Sequence, residues 1–347
     1  MSLTVEKLND DTTFLLAFAP SFAPSKPPSR RLPGAFTILL DPWLAGRASI
    51  LHPAFQTSSH ARASAIPTLT ALPDPPDLII ISQSKPDHCH RATLCTLPPA
   101  TPTRILATPA AAKKIRSWQH FDAAVVHVLP PYHPRKPATV TRIALPAYTA
   151  ASAAGELTIA HIPTKRDLTG LHNAIAITYR APASLLTSFE DEPPKPRPAT
   201  NPLNTTTPSP PPRPIFLDPL GLTLPPLPPP KTEKVLSTLY TPHGLSPSTL
   251  HPYLTTHLTP TTAPAPLTLL LHGLHTASNP RLLGGRVARG APGGVPIAKM
   301  LRARYWVGAH DGGKVEGGVA VRGAGGGGGG GSEVCVLGVG EGRRFEG

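Results

Sequence analysis

The chain has 347 residues, a formal net charge of +13 and only 15% charged residues, and this length suits one large domain or two small ones. Proline accounts for 48 residues, about 14% of the chain against an average of about 5%, and the prolines cluster in a few stretches. The positive charge is compatible with an anionic partner. However, lysine and arginine are scattered without a run of five basic residues, so nucleic-acid binding is not expected.

The cysteines and the first residues predict a compartment. The odd, small number of cysteines (Cys89, Cys95 and Cys335) lacks the spacing of a disulfide framework, which indicates a reducing environment. The start, MSLTVEKLND, contains acidic residues and lacks the apolar core of a signal peptide. No segment approaches the roughly 18 consecutive apolar residues of a membrane-spanning helix. We therefore expect a cytoplasmic protein that does not enter a membrane.

The first half of the chain predicts strands that alternate with helices. Two apolar stretches, residues 3–8 and 13–19, flank a turn at Asn9-Asp10-Asp11 and predict a β-hairpin. Further elements follow as strands at 36–40, 78–82, 104–107 and 124–129, and helices at 90–97 and 109–119. Pro109 suits the first turn of its helix because no N–H partner is needed there. This alternation indicates an α/β fold class.

The second half predicts more strands around a long proline-rich insertion. Strands are predicted at 139–145, 156–162, 174–179, 235–240, 267–271, 305–307 and 333–339, and helices at 247–256 and 293–303. Residues 181–214 contain EDEPPKPRPATNP and PSPPPRP, which predict a disordered or polyproline insertion that cannot bury a core. A glycine run at 325–331 predicts a flexible tether.

The insertion also contains a motif that suggests a protein partner. Residues Pro208 to Arg213 read PSPPPR and fit the PxxPxR pattern that polyproline ligands present to SH3-type domains. Such matches also arise by chance in a chain this rich in proline. An SH3-type partner is therefore an alternative beside a small-molecule substrate.

Four predicted strands end in turns that carry a histidine, at residues 78–90, 235–244, 267–275 and 305–311. A single histidine is more often a hydrogen-bonded core or surface residue than a ligand. Several strand ends at one sheet edge, however, are a common way to build a site on rigid elements. The most informative turn follows the apolar run Leu-Ile-Ile-Ile and reads SQSKPDHCH.

This turn resembles the signature of the metallo-β-lactamase superfamily, a strand followed by His-x-His-x-Asp-His. Asp87 and His88 stand at its last two positions, while Gln83 and Lys85 replace its first two histidines. The Leu-Asp-Pro-Trp-Leu strand end at 40–44 and the Trp-x-x-x-His-Asp sequence at 306–311 also agree with the superfamily.

The resemblance covers most of the chain and implies a four-layer αββα sandwich with its site along one edge. It places a single domain at residues 1–320, interrupted by the insertion at 181–214. Residues 321–347 would form a glycine-rich tail with a last strand.

The resemblance also implies a reduced metal site. Asp87, His88 and His310 match the ligands of one metal, which would be a zinc ion with an open position for water. His243 lies near the expected end of a later strand and is a further candidate ligand.

The other half of the implied site is incomplete. Gln83 is at best a weak neutral ligand, and Lys85 cannot ligate while it is protonated. Either His161 or His172 could supply the third histidine of this set. The Lys85 ammonium could replace part of the missing metal's charge and polarise a substrate oxygen, or it could simply pair with Asp87.

Two functions remain open at this point. The first is hydrolysis of a small ester, lactone, amide or phosphoester, with Asp87 and Lys85 as catalytic residues at a site with one metal ion. The second is a non-catalytic protein that keeps the fold, has lost the ligands of the first metal and serves as a binding or interaction module.

Overall fold

The computed structural model describes most of the chain. The described residues are 1–20, 34–50, 56–147, 153–182, 235–258, 267–278, 285–312, 314–317, 324–325 and 333–346. Nearly all of the predicted insertion, the PxxPxR motif and most of the glycine run lie outside these residues.

The elements are numbered in chain order. The strands in the first half are β1 Ser2–Lys7, β2 Phe14–Ala19, β3 Phe36–Leu40, β4 Ala48–Ile50, β5 Gln56–His60, β6 Leu78–Ile81, β7 Arg104–Ala107, β8 Val126–Val128 and β9 Val140–Leu145. The remaining strands are β10 Gly155–Pro163, β11 Asn173–Arg180, β12 Leu236–Thr241, β13 Leu269–His272, β14 Thr276–Ser278, β15 Arg286–Arg289, β16 Tyr305–Gly308, β17 Lys314–Gly317, β18 Ala324–Gly325, β19 Glu333–Cys335 and β20 Gly342–Glu346. The α-helices are α1 Arg91–Leu94, α2 Pro109–Ser117, α3 Pro247–Tyr253 and α4 Gly290–Leu301.

Two seven-stranded sheets organise the fold. Sheet A has the order β20-β1-β2-β3-β6-β7-β8, and sheet B has the order β19-β16-β13-β12-β11-β10-β9. The strands β3, β6, β7 and β8 are parallel to one another, as are β12, β13, β16 and β19. Parallel strands deliver their carboxyl ends to the same sheet edge, so the turns after β3, β6, β12 and β16 can meet.

Three hydrophobic cores define four layers. The inner core joins alternate residues of both sheets, such as Leu78 and Ile80 of sheet A with Leu269 of sheet B. The outward-facing Ile79 and Ile81 belong to a second core that includes residues of α1 and α2. A third core joins the outer face of sheet B to α3 and α4. The predicted αββα sandwich is confirmed, and the strand Leu78–Ile81 is apolar throughout because both of its faces are covered.

Most predicted strands are present, while the helices differ at their ends. The helix predicted at 90–97 is reduced to α1, and the helix predicted at 247–256 ends as α3 before a π-helical segment at Leu254–Leu258. The predicted last strand is present as β19, and β20 was not predicted. β20 pairs with β1 and places Phe345 in the inner core. Among the described residues, no helix is long and apolar enough to cross a lipid bilayer.

Candidate metal centre

The turns after β6, β12 and β16 bring three imidazole rings together at one edge of the sandwich. One ring nitrogen from each of His88, His243 and His310 lies within 4.8 Å of the other two. The ring centroids are separated by 5.1 Å for His88 and His243, 5.3 Å for His88 and His310, and 4.5 Å for His243 and His310. His88 and His243 are buried, and the His310 side chain is 11% exposed.

An acceptor oxygen fixes the Nδ1 atom of each ring. The contacts are His88 Nδ1 to Asp41 Oδ2 at 2.7 Å, His310 Nδ1 to Asp11 Oδ1 at 2.6 Å, and His243 Nδ1 to the Val287 carbonyl at 3.1 Å. Carbonyl and carboxylate oxygens only accept hydrogen bonds, so each Nδ1 carries the hydrogen. In the neutral rings, Nε2 therefore holds the lone pair, which is the tautomer that a metal bound at Nε2 requires.

Two of these Nε2 atoms face each other at close range. His88 Nε2 lies 3.0 Å from His243 Nε2, so two lone pairs would repel unless a cation lies between them. Burial opposes a charge on His88, but the carboxylates of Asp87, Asp41 and Asp11 outweigh this effect and raise its pKa. A proton shared by the two rings satisfies the contact without a metal, and a divalent ion competes for the same place.

Asp41 holds His88 in position. Its buried carboxylate accepts hydrogen bonds from the Ser82 N–H at 2.7 Å, the Ser82 hydroxyl, the Tyr240 hydroxyl at 2.7 Å and His88. Burial and the nearby Asp41 raise the pKa of Tyr240 well above its usual value, so this hydroxyl remains a donor. Asp41 has a φ of +39° immediately before Pro42, a conformation that this dense set of hydrogen bonds stabilises.

Asp11 holds His310 from the turn between β1 and β2. Asn9 Oδ1 accepts the N–H groups of Asp11 and Thr13, both at 2.9 Å, which shapes the turn. The Asp11 carbonyl also accepts the His310 N–H at 3.1 Å, and His310 has a φ of +65°. Asp11, Asp87 and His310 form a second group whose ligand atoms lie within 4.8 Å of one another. The sequence predicted this segment only as a hairpin turn.

Asp87 and Lys85 flank the rings on the signature turn. Asp87 Oδ2 lies 3.9 Å from His88 Nε2, and the Asp87 side chain is 17% exposed. The Lys85 carbonyl accepts the His88 N–H at 3.0 Å, while its half-buried ammonium forms no ion pair with Asp87 or any other described carboxylate. The pairing of Lys85 with Asp87 that the sequence left open is therefore not formed.

Gln83, which replaces a signature histidine, and His172, a candidate for the third histidine of the same metal set, both form hydrogen bonds with the backbone. Gln83 is buried, and its amide donates to the Leu171 carbonyl at 3.1 Å, which ties the signature turn to the loop before β11. His172 turns both ring nitrogens to backbone carbonyls, those of Gly244 at 2.8 Å and Arg286 at 2.9 Å. The His172 ring is not arranged as a ligand, because both of its nitrogens contact backbone carbonyls. The Gln83 Oε1 atom is buried and has no hydrogen-bond partner among the described residues.

Two further histidines are buried away from the three rings. His161 lies on β10, where burial lowers its pKa to about 4 and Nδ1 has no hydrogen-bond partner in the structure. His272 ends β13, directs Nδ1 at the Gly273 carbonyl and also has a pKa lowered to about 4 by burial. Among the described residues, the groups that could hold a metal include His243 and contain neither His161 nor His172. Strand geometry thus brings together His243, rather than those two, with His88 and His310.

Comparison with known proteins found similarity only among solved structures. No protein-family model and no curated protein sequence matches the chain. An isothiocyanate hydrolase from Delia radicum gut bacteria aligns with a TM-score of 0.45 and 14% identity over 88% of this chain and 84% of that chain. A possible metal-dependent hydrolase from Veillonella parvula aligns with a TM-score of 0.46 and 10% identity over 89% and 85%.

A third solved structure, the metallo-β-lactamase fold protein YhfI from Bacillus subtilis, aligns with a TM-score of 0.42 and 10% identity over 99% of this chain and 100% of that chain. These scores are low and carry no functional conclusion. The layer order, together with the signature turn at the edge of the sandwich, identifies a fold of metallo-β-lactamase type.

Proposed function

We propose that the protein is a metal-dependent hydrolase that binds one divalent ion through His88, His243 and His310. The observation that supports it best is the 3.0 Å contact between His88 Nε2 and His243 Nε2, with both Nδ1 atoms facing acceptors. The orientation of the rings therefore favours a cation between them.

The donor set suits zinc. Imidazole nitrogen is a preferred zinc ligand, and three protein ligands with an open fourth position are typical of catalytic zinc sites. The nearby carboxylates of Asp11, Asp41 and Asp87 would compensate the charge of a divalent ion. Asp41 and Asp11 also fix two of the rings from behind, as in the carboxylate–histidine–metal arrangement.

The residues around the rings support hydrolysis. A zinc ion bound there would supply a water whose pKa is about 7 and would polarise a substrate oxygen. Asp87 is partly exposed beside the rings, and its carboxylate can accept a proton from a water molecule. His310 is the most exposed of the three rings, so a substrate would approach from its side. We propose a small ester, lactone, amide or phosphoester because the other two rings are buried.

Metal content per chain tests this proposal. We expect about one ion in the purified protein, its loss in His243→Leu and its retention in His272→Leu. The two substitutions remove a buried histidine at the ends of neighbouring strands, so folding effects are matched. A hydrolysis screen with zinc or manganese then follows, and loss of metal from both variants or from neither would contradict the proposed ligands.

A non-catalytic binding protein is the second candidate. The observation that favours it is the use of Gln83 and His172, which are hydrogen-bonded to backbone carbonyls where another metal set would be expected. Wild-type protein that stays folded and metal-free after addition of zinc or manganese would support this candidate instead.

A further inference from the structure

A positively charged groove lies beside the signature turn, on the outer side of sheet A. It has a cavity volume of about 470 Å³ and is open to solvent. Its lining residues come from the loop after β3, the signature turn, α1 and α2, and they are Arg47, Pro86, Cys89, His90, Arg91, Ala92, Cys95 and Lys114. This volume is in the range of sites for small molecules.

The charged residues that line the groove are all cations. Arg47, Arg91 and Lys114 contribute three cations, and no aspartate or glutamate is among the lining residues. Within the described chain, none of the three cations forms an ion pair with a carboxylate.

Hydrogen bonds hold parts of the groove in place. The Lys114 ammonium donates to the Ser84 carbonyl at 2.7 Å, which ties α2 to the signature turn. His90 caps α1 by accepting the Thr93 N–H at 3.3 Å, and its Nε2 lies 3.4 Å from the Arg47 carbonyl. These contacts join the three segments that carry the cations.

We propose that this groove binds the phosphate group of a small molecule. Two guanidinium groups and one ammonium group provide directional donors and a positive charge that match a phosphate dianion better than a single carboxylate. This inference goes beyond the proposed hydrolase activity and does not depend on a bound metal. Pro86 lines the groove and directly precedes Asp87, which flanks the metal centre. The groove and the metal centre therefore share the signature turn.

Isothermal titration of the purified full chain with inorganic phosphate and with glycerol 3-phosphate tests the proposal. We expect saturable binding at one site that weakens at least about tenfold in Arg91→Gln and in Arg47→Gln, because charged hydrogen bonds are lost. The matched control is Arg104→Gln, an exposed arginine at the start of β7 outside the groove, which should bind like wild type. Binding should also weaken as the salt concentration rises.

The remaining outcomes separate this site from the metal centre. Binding that persists in His243→Leu supports the groove even if the metal proposal fails. Binding that is lost in His243→Leu but unchanged in Arg91→Gln would place phosphate on the metal and overturn the inference. Equal weakening in Arg91→Gln and Arg104→Gln, or no saturable binding, would also overturn it. Tighter binding of glycerol 3-phosphate than of inorganic phosphate would identify a phosphorylated small molecule, and equal affinity would identify free phosphate.

Discussion

The histidines near the sheet edge fall into two groups with similar sequence surroundings and different geometry. The converging group is His88, His243 and His310, and the separate group is His161, His172 and His272. In the converging group an oxygen fixes every Nδ1, and the rings face one another. In the separate group, the rings contact the backbone or are buried alone. A histidine at a strand end is thus a metal ligand candidate only when an acceptor behind the ring aims Nε2 at other donors.

The two groups also differ in their electrostatic environment. Burial opposes a charge on His88, His161 and His272, but the carboxylates around His88 overcome this effect and raise the pKa of that ring. Among the described residues no carboxylate offsets the burial of His161 or His272, so burial lowers the pKa of each to about 4. The surroundings of His88 therefore favour a cation, while those of His161 and His272 favour neutral rings. The predictions that follow test this contrast, beginning with the largest expected effect.

Asp41→Asn should have the largest effect. An amide at this position would place an NH₂ group against donors from Ser82, Tyr240 and His88, so buried hydrogen bonds would be lost. We expect the free energy of unfolding to fall by about 3 kcal/mol or more. Metal affinity should fall about 10-fold to 100-fold because His88 loses its orienting carboxylate. Urea unfolding and zinc titration measure the two effects.

Asp77→Asn is the control for this prediction. Asp77 accepts the Thr37 N–H at 2.8 Å and the Thr37 hydroxyl at 2.9 Å, at the opposite end of β3 from Asp41. This variant should lose stability without a change in metal affinity. An unchanged metal affinity in Asp41→Asn would show that the carboxylate behind His88 does not distinguish the two groups.

Asp11→Asn should weaken metal binding with a smaller loss of stability. The Asp11 carboxylate contacts His310 Nδ1 at 2.6 Å, so its loss should release this ring and lower metal affinity about 10-fold to 100-fold. Asp10→Asn is the matched control in the same turn, since Asp10 faces Arg62 at 3.8 Å instead of the rings. Cobalt(II) absorption spectra provide a readout of ligand geometry that does not depend on activity. Identical spectra and affinities for the two variants would contradict a positioning role of Asp11.

A low pH should destabilise the folded protein through protonation of His161 and His272. His161 and His272 have folded-state pKa values of about 4, below the value of about 6.5 expected in the unfolded chain. The unfolded chain therefore binds more protons between these values, and the stabilisation present above pH 6.5 is lost as the pH falls through 4. Each ring should cost about 2 kcal/mol between pH 7 and pH 5.

Urea unfolding of wild type, His161→Leu and His272→Leu at both pH values tests this effect. Each substitution should reduce the loss of stability on acidification by about the contribution of one ring. His88 should act in the opposite direction, because a raised pKa adds stability that is present at low pH and is lost as the pH rises through it. A pH dependence that neither substitution changes would mean that these rings are not buried in the neutral form.

The sequence predicted the parts of the site that depend on local patterns. The apolar strand Leu78–Ile81 and the turn after it predict a covered strand that presents Asp87 and His88 at its end. His310 was predicted because its Trp-x-x-x-His-Asp context resembles the late histidine of the superfamily and its turn follows another apolar strand. The Leu-Asp-Pro-Trp-Leu strand end marked the segment that contains Asp41, although its contact with His88 was not predicted.

The missed parts depend on which distant segments meet. Asp11 and His310 are separated by 299 positions, and the turn at Asn9-Asp10-Asp11 has the composition of an ordinary hairpin turn. The choice of His243 over His161 or His172 depends on which strand neighbours β13 and on how far each strand extends. β20 was missed because Gly-Arg-Arg-Phe-Glu is short and polar, with one apolar residue that reaches the core. Sequence periodicity contains none of this information.

Lys85→Ala should have the smallest effect and tests the replaced signature position that precedes Asp87 and His88. Its ammonium is half-buried and forms no ion pair with a described carboxylate, so stability should change by less than about 0.5 kcal/mol. Loss of a nearby positive charge should strengthen metal binding by up to about fivefold, or about 1 kcal/mol. The control is Lys113→Ala on the exposed face of α2. Tighter metal binding with slower hydrolysis would identify Lys85 as a residue that polarises the substrate. If Lys85→Ala behaves like Lys113→Ala in both measurements, the ammonium is only a surface charge beside the site.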